Sequence, residues 1–107
     1  MNQKRKTLII GIDGADWAYL EQALPDCPVL KRLINTGTSG RLRSTMPPIS
    51  PVAWSSFSTG KHPKKHGIFD WQVREIGGGL KRPVISKDRR GTPFWNYLNK
   101  AGIRTGV

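Results

Sequence analysis

The sequence predicts an α/β fold with a mostly parallel sheet flanked by helices, and three observations carry that expectation. A β-branched run at residues 8–12 ends at Asp13-Gly14, the pattern of a buried strand that stops at a tight turn. Extended and helical patterns then alternate along the chain, which favours strand–helix–strand units over an all-helical or all-β arrangement. Finally, residues 103–107 look like one more strand just beginning, so the chain is expected to be the N-terminal piece of a larger α/β domain.

The elements follow in order. Trp17, Leu20, Ala23 and Leu24 recur at helical spacing until Pro25. A second short helix is expected from Val29 to Asn35, with Leu30, Leu33 and Ile34 inward and Gly37 as its stop. Residues 40–45 suit a strand, which Pro47-Pro48 breaks. Ser50 before Pro51 marks the start of a helix that runs to Gly60, with Ser50 expected at the N-cap and Pro51 at the first helical position. Residues 61–67 form a basic loop holding His62 and His66, where Pro63 argues against a helix. Residues 69–74 suit an extended segment, Gly77-Gly78-Gly79 a turn, and Thr92-Pro93 the opening of a helix that carries Phe94, Trp95, Tyr97, Leu98 and Ala101 and stops at Gly102.

Composition limits the options. The chain has 107 residues, at most one domain, with 36% hydrophobic residues and so room for a small core. Its formal net charge is +11, and thirteen of the 18 Lys and Arg residues fall in residues 41–107 against three acidic ones. That excess favours anionic partners: phosphorylated substrates, nucleic acid or an acidic membrane surface. Cys27 is the one cysteine, so an internal disulfide is excluded and a reducing compartment is expected. The N-terminal apolar run is too short for a signal peptide or a membrane span and is broken by Asp13 and Asp16. The expectation is a cytoplasmic chain with no transmembrane segment.

Two residues could carry chemistry. Asp13 directly follows the first strand, and ligands of open α/β sheets collect at the carboxyl ends of strands, where a carboxylate can hold a divalent metal. An Asp there can equally cap the next helix or shape the turn. Ser50 sits where a helix N-terminus gathers unpaired N–H groups and the positive end of the helix dipole, which is an anion site. It could cap the helix or attack a phosphorus. Ser44, Thr45, Ser55, Ser56, Ser58 and Thr59 compete as hydroxyls but do not lie at that N-terminus. His62 and His66, four apart, could share a ligand on a helix; the simpler reading makes them loop residues, with His66 bonding backbone beside Gly67. Lys61, Lys64 and Lys65 form either a solvated face or a substrate-facing patch.

Taken in order, the segments Leu8-Ile9-Ile10-Gly11-Ile12-Asp13-Gly14, Pro47-Pro48-Ile49-Ser50-Pro51, Trp54-Ser55-Ser56-Phe57-Ser58-Thr59-Gly60 and Lys61-His62-Pro63-Lys64-Lys65-His66-Gly67-Ile68 resemble the alkaline phosphatase superfamily, in its type I phosphodiesterase/nucleotide pyrophosphatase-like branch. The resemblance extends to the helix around Phe94-Trp95. It implies residues 1–107 as the N-terminal fragment of a single metallo-hydrolase domain that hydrolyses phosphoesters of small molecules. It also implies a two-metal site, usually zinc, in which Asp13 matches the first ligand and Ser50 both the nucleophile and a metal contact. The other Asp and His ligands of the family lie further along than Val107, so the isolated chain is expected to be inactive and poorly folded. One departure stands out: where nucleotide pyrophosphatases carry an Asn that contacts phosphate, this chain has Trp71, preceded by Asp70. That argues against nucleotide pyrophosphatase activity in particular.

Two other functions compete. A small basic nucleic-acid-binding protein would use residues 41–107 with Trp54, Trp71 and Trp95 as stacking groups, although Trp54 and Trp95 fall on apolar helix faces that suggest core. A transferase or mutase of the same superfamily would share the metal site and differ in its acceptor.

Overall fold

The computed structural model of the protein describes residues 6–75 and 77–107; Lys4 and Arg5 of the basic N-terminal run lie outside the described residues. Two compact units divide the chain, Met1–Leu42 and Arg43–Val107.

In the first unit the residues at 8–12 are extended but belong to no strand, and Leu8, Ile9, Ile10 and Ile12 are all more than half exposed. The expected parallel sheet is not seen among the described residues. A β-branched run becomes a strand only when a neighbour supplies the partners of its N–H and C=O groups, and no such ladder forms here. Asp13-Gly14 makes a turn, with Gly14 at φ 68°, a left-handed conformation that glycine adopts without a Cβ clash. Helix α1 (Trp17–Ala23) follows, and Asp16 caps it by accepting the Ala18 N–H at 2.8 Å. Leu24–Asp26 is a 3-10 turn around Pro25. Helix α2 (Pro28–Thr36) starts on a proline and ends at Gly37, whose N–H bonds the Leu33 carbonyl at 2.9 Å. No described residue of this unit is buried.

The second unit has a small core. Residues 40–45 form no strand; Thr45 Oγ1 donates to the Pro47 carbonyl at 2.8 Å, and the chain turns through Pro47-Pro48 into α3 (Ser50–Thr59). Gly60 ends that helix at φ 63° with its N–H on the Ser56 carbonyl. One helical turn, α4 (Pro63–His66), comes next, where only a loop was expected. Pro63 breaks nothing because it occupies the first turn, where its missing N–H has no helical partner to lose. Gln72–Arg74 (β1) and Lys81–Pro83 (β2) pair antiparallel, Gln72 opposite Pro83 and Arg74 opposite Lys81, with the three glycines in the connection. These are the strands of the described residues, a short hairpin rather than a parallel sheet. Local antiparallel pairing needs only a turn, whereas parallel strands need a long crossover between them.

A 3-10 turn, Ser86–Asp88, anchors the hairpin. Arg82 grips Asp88 through two hydrogen bonds of 2.8 and 2.7 Å, and the Ile85 N–H adds a third at 2.8 Å. The Arg82 bonds, then the Ile85 amide, hold the Asp88 carboxyl down at about 2. Helix α5 (Phe94–Lys100) closes at Gly102, and the Ile103 N–H returns to the Leu98 carbonyl at 2.9 Å, the Schellman closure of a helix end. Residues 103–107 continue without forming a strand. Val52, Ile68 and His66 lie at the centre of this unit, with Ser55, Ser58, Pro63 and Pro93 also buried. Beside them Trp54, Phe57, Phe94 and Trp95 meet edge to face at centroid distances of 5.8, 5.7 and 5.1 Å. Trp54 and Phe57 are 39% and 50% exposed, so this aromatic row edges the core rather than filling it.

Candidate functional site

The first turn of α3 places Ser50. Ile49, not Ser50, is the cap: its backbone is extended and its carbonyl accepts from the Val52 and Ala53 N–H groups at 3.1 and 3.0 Å. Ser50 is therefore the first helical residue and Pro51 the second, one position later than the sequence suggested. A cap is defined by a backbone that has not yet turned helical, and Ile49 meets that condition without a side-chain oxygen. Ser50 is partly buried at the positive end of a ten-residue helix.

Most of the competing hydroxyls are engaged elsewhere. Ser58 and Thr59 both donate to the Ser55 carbonyl, at 3.2 and 2.6 Å, and Thr45 bonds Pro47. Ser56 Oγ lies 2.9 Å from His66 Nε2. None of these is in the first turn of α3.

His66 is the best-placed ionisable side chain of this unit, and its partners are local and tertiary at once. Nδ1 accepts the Ile68 N–H at 3.1 Å, so the neutral ring carries its proton on Nε2 and donates it to Ser56 Oγ. Burial first, then the positive charges of His62 and Arg89, pushes the imidazole below its ordinary pKa. The backbone-bonding role expected for His66 is what the structure shows, while its bond to Ser56 gave no sign in the sequence. His62 caps α4 by accepting the Lys64 N–H at 3.3 Å. Both ring nitrogens of His66 are thus engaged within the chain, as is Nδ1 of His62.

Asp13 lies exposed in the turn it makes with Gly14, in the first unit. The helix-capping alternative is removed, because Asp16 does that work; sequence reading missed this cap, although an Asp immediately before the apolar period is the expected signal. Among the described residues no three His, Cys, Asp or Glu side chains come together as a metal-binding group. Zinc takes four ligands in structural sites and three protein ligands in catalytic ones. Asp13 and Ser50 fall short of either set, so these residues by themselves do not build the implied two-metal centre.

An apolar groove of about 390 Å³ runs along α3, lined by Pro51, Trp54, Phe57, Ile68 and Trp95 together with Arg89. Trp71, at the position of the departure noted above, is 57% exposed, and Asp70 Oδ1 accepts the Trp71 N–H at 2.7 Å. Lys61, Lys64 and Lys65 are exposed around α4.

Comparison with known proteins places these features in a lineage. Over residues 7–107 the chain matches the sequence profile of type I phosphodiesterase / nucleotide pyrophosphatase. Among curated proteins it is similar to ectonucleotide pyrophosphatase/phosphodiesterase family member 1 of Rattus norvegicus, 28% identical over 94% of this chain and 12% of the relative. It is also similar to venom phosphodiesterase 2 of Crotalus adamanteus, 24% identical over 94% of this chain and 13% of the relative. The chain thus spans roughly an eighth of the length of the curated relatives it matches. No solved structure gives a significant match. With the profile matched across all but its first six residues, the chain belongs to the type I phosphodiesterase / nucleotide pyrophosphatase family.

Proposed function

We propose that this chain is the N-terminal part of a metal-dependent phosphoester hydrolase in which Ser50 is the nucleophile and Asp13 a metal ligand. The observation that carries this reading is the position of Ser50, in the first turn of α3 and inside a family match that spans residues 7–107. Ser50 Oγ forms the new bond to phosphorus as the bond to the leaving oxygen breaks, and water then hydrolyses the phosphoserine. The N-terminal end of α3 favours the negative charge on the phosphoryl oxygens. A divalent metal pair, zinc in the resemblance, would supply the lowered hydroxyl pKa that a serine needs near neutral pH. Asp13 and Ser50 would be among the groups that hold it, and further ligands would have to complete the set, since no three His, Cys, Asp or Glu side chains come together among the described residues. The substrate class is a phosphorylated small molecule, with Trp71 in place of an amide as the mark against nucleotide pyrophosphates.

Assays with a chromogenic monoester and a diester, zinc present, test this reading. The 107 residues alone are expected to show no turnover. A longer polypeptide that adds the remaining ligands is expected to hydrolyse at least one of the two, and Ser50→Ala to lower kcat on the order of 10³-fold or more. Hydrolysis that survives Ser50→Ala overturns the assignment of the nucleophile.

A further inference from the structure

Three contacts meet at His66, two through its buried ring and one through its backbone carbonyl. Nε2 meets Ser56 of α3 at 2.9 Å, Nδ1 accepts the Ile68 N–H at 3.1 Å, and the His66 carbonyl accepts the Arg90 N–H at 2.8 Å. The residue is 0% exposed. A neutral ring protonated on Nε2 satisfies both ring contacts. A doubly protonated ring sets a second N–H against the Ile68 N–H, two donors face to face, with no solvent to relieve them. The Arg89 guanidinium, beyond the hairpin, and His62 at the start of α4 also act against a second proton on the ring. Helix α3 contributes the Ser56 hydroxyl to the ring.

We propose that His66 is an acid-released latch on α3: as a neutral imidazole it ties the middle of that helix, through Ser56, to the Ile68 amide that follows α4, and in mild acid the donor clash at Nδ1 drives the ring from its pocket and breaks the Ser56 bond with it. Ser56 is six residues from Ser50, about 9 Å along the helix axis. Release at Ser56 therefore reaches the turn that positions Ser50. His66 is in this sense a positioning residue, acting through Ser56. Its consequence for catalysis rests on the reading of Ser50 as nucleophile, while the latch itself does not.

Nitrogen-15 NMR of the imidazole, followed from about pH 8 to about pH 4, tests the latch in the protein. The expected result is the Nε2–H tautomer, a slowly exchanging ring proton and a titration midpoint below the ordinary value. Because the folded state resists protonation, α3 amide protection should be full above about pH 6.5 and fall as the pH drops below it. Ser56→Ala should speed exchange of the α3 amides about tenfold at neutral pH, leaving α2 as an unchanged reference. His66→Gln, which can still donate to Ser56 but cannot titrate, should remove the acid dependence of that protection. An Nδ1–H tautomer, an ordinary midpoint, or an acid dependence retained in His66→Gln overturns the proposal. If His66→Gln fails to fold, the tautomer and midpoint of the unaltered protein decide. In an active longer polypeptide, Ser50→Ala that keeps hydrolysing overturns the nucleophile and leaves the latch standing; an ordinary His66 titration does the reverse.

Discussion

The two units of this chain obey the same local rules and reach different ends. Residues 6–42 contain two well-limited helices, α1 and α2, yet none of their side chains is buried, and Val29 and Leu33 of α2 are 61% and 55% exposed. Residues 43–107 contain helices of similar length and bury Val52, Ile68 and His66 almost completely. Capping, proline placement and a terminal glycine are enough to define a helix. They are not enough to bury one, since burial needs a second surface, and α3 has α4 and α5 against it while Val29 and Leu33 of α2 remain open and Leu30 and Ile34 are half-buried.

The contrast can be broken by substitution. Ile68→Ala should destabilise the protein by about 2–5 kcal/mol, since Ile68 is 2% exposed and its loss leaves a cavity beside His66. Leu33→Ala, at a position 55% exposed, should cost no more than about 0.5 kcal/mol. Equal losses in urea unfolding would erase the distinction between the units. A smaller effect, about 1 kcal/mol, is expected from Asp16→Ala, which removes the cap of α1; circular dichroism should show loss confined to that helix content.

The smallest effect concerns the hairpin anchor. Asp88 is depressed to about 2 in the folded protein, from an unfolded value near 3.8. Its contribution is therefore present above about pH 4 and lost as the pH falls toward 2, because the unfolded chain binds the proton first. Asp88→Asn should flatten that acid limb of the stability profile and loosen β1–β2 amide protection, leaving α3 protection at neutral pH unchanged. A limb that persists in Asp88→Asn would assign it to another group. His66 contributes at a higher pH, so the two limbs separate in a titration.

Much of the second unit was legible from the chain itself. The limits of α3 and α5, the stops at Gly60 and Gly102, and the backbone-bonding histidine all follow from residues within a few positions of one another. The cap of α3 was misplaced by one residue because Ile49 turns the chain with its backbone, and an isoleucine carries no capping signal. Pro63 argues against a helix when read by its residue type, although a proline in the first turn costs no hydrogen bond. The strands at 8–12, 40–45 and 103–107 were the larger overreach, because β-branched runs state a preference that only a pairing partner realises.

Sequence alone determined where α3 and α5 stop, where the chain turns at Asp13-Gly14 and which family it belongs to, since these depend on local sterics, local hydrogen bonds and ordered motifs. It also placed Ser50 at the head of α3 to within one residue. Only the tertiary structure decided that His66 is buried against Ser56 and that the aromatic row lies at the edge of the core. The ring of His66 gains its partner ten residues back along the chain once α3 and α4 fold against each other. Such a contact depends on which surfaces meet, and no single stretch of sequence encodes that meeting.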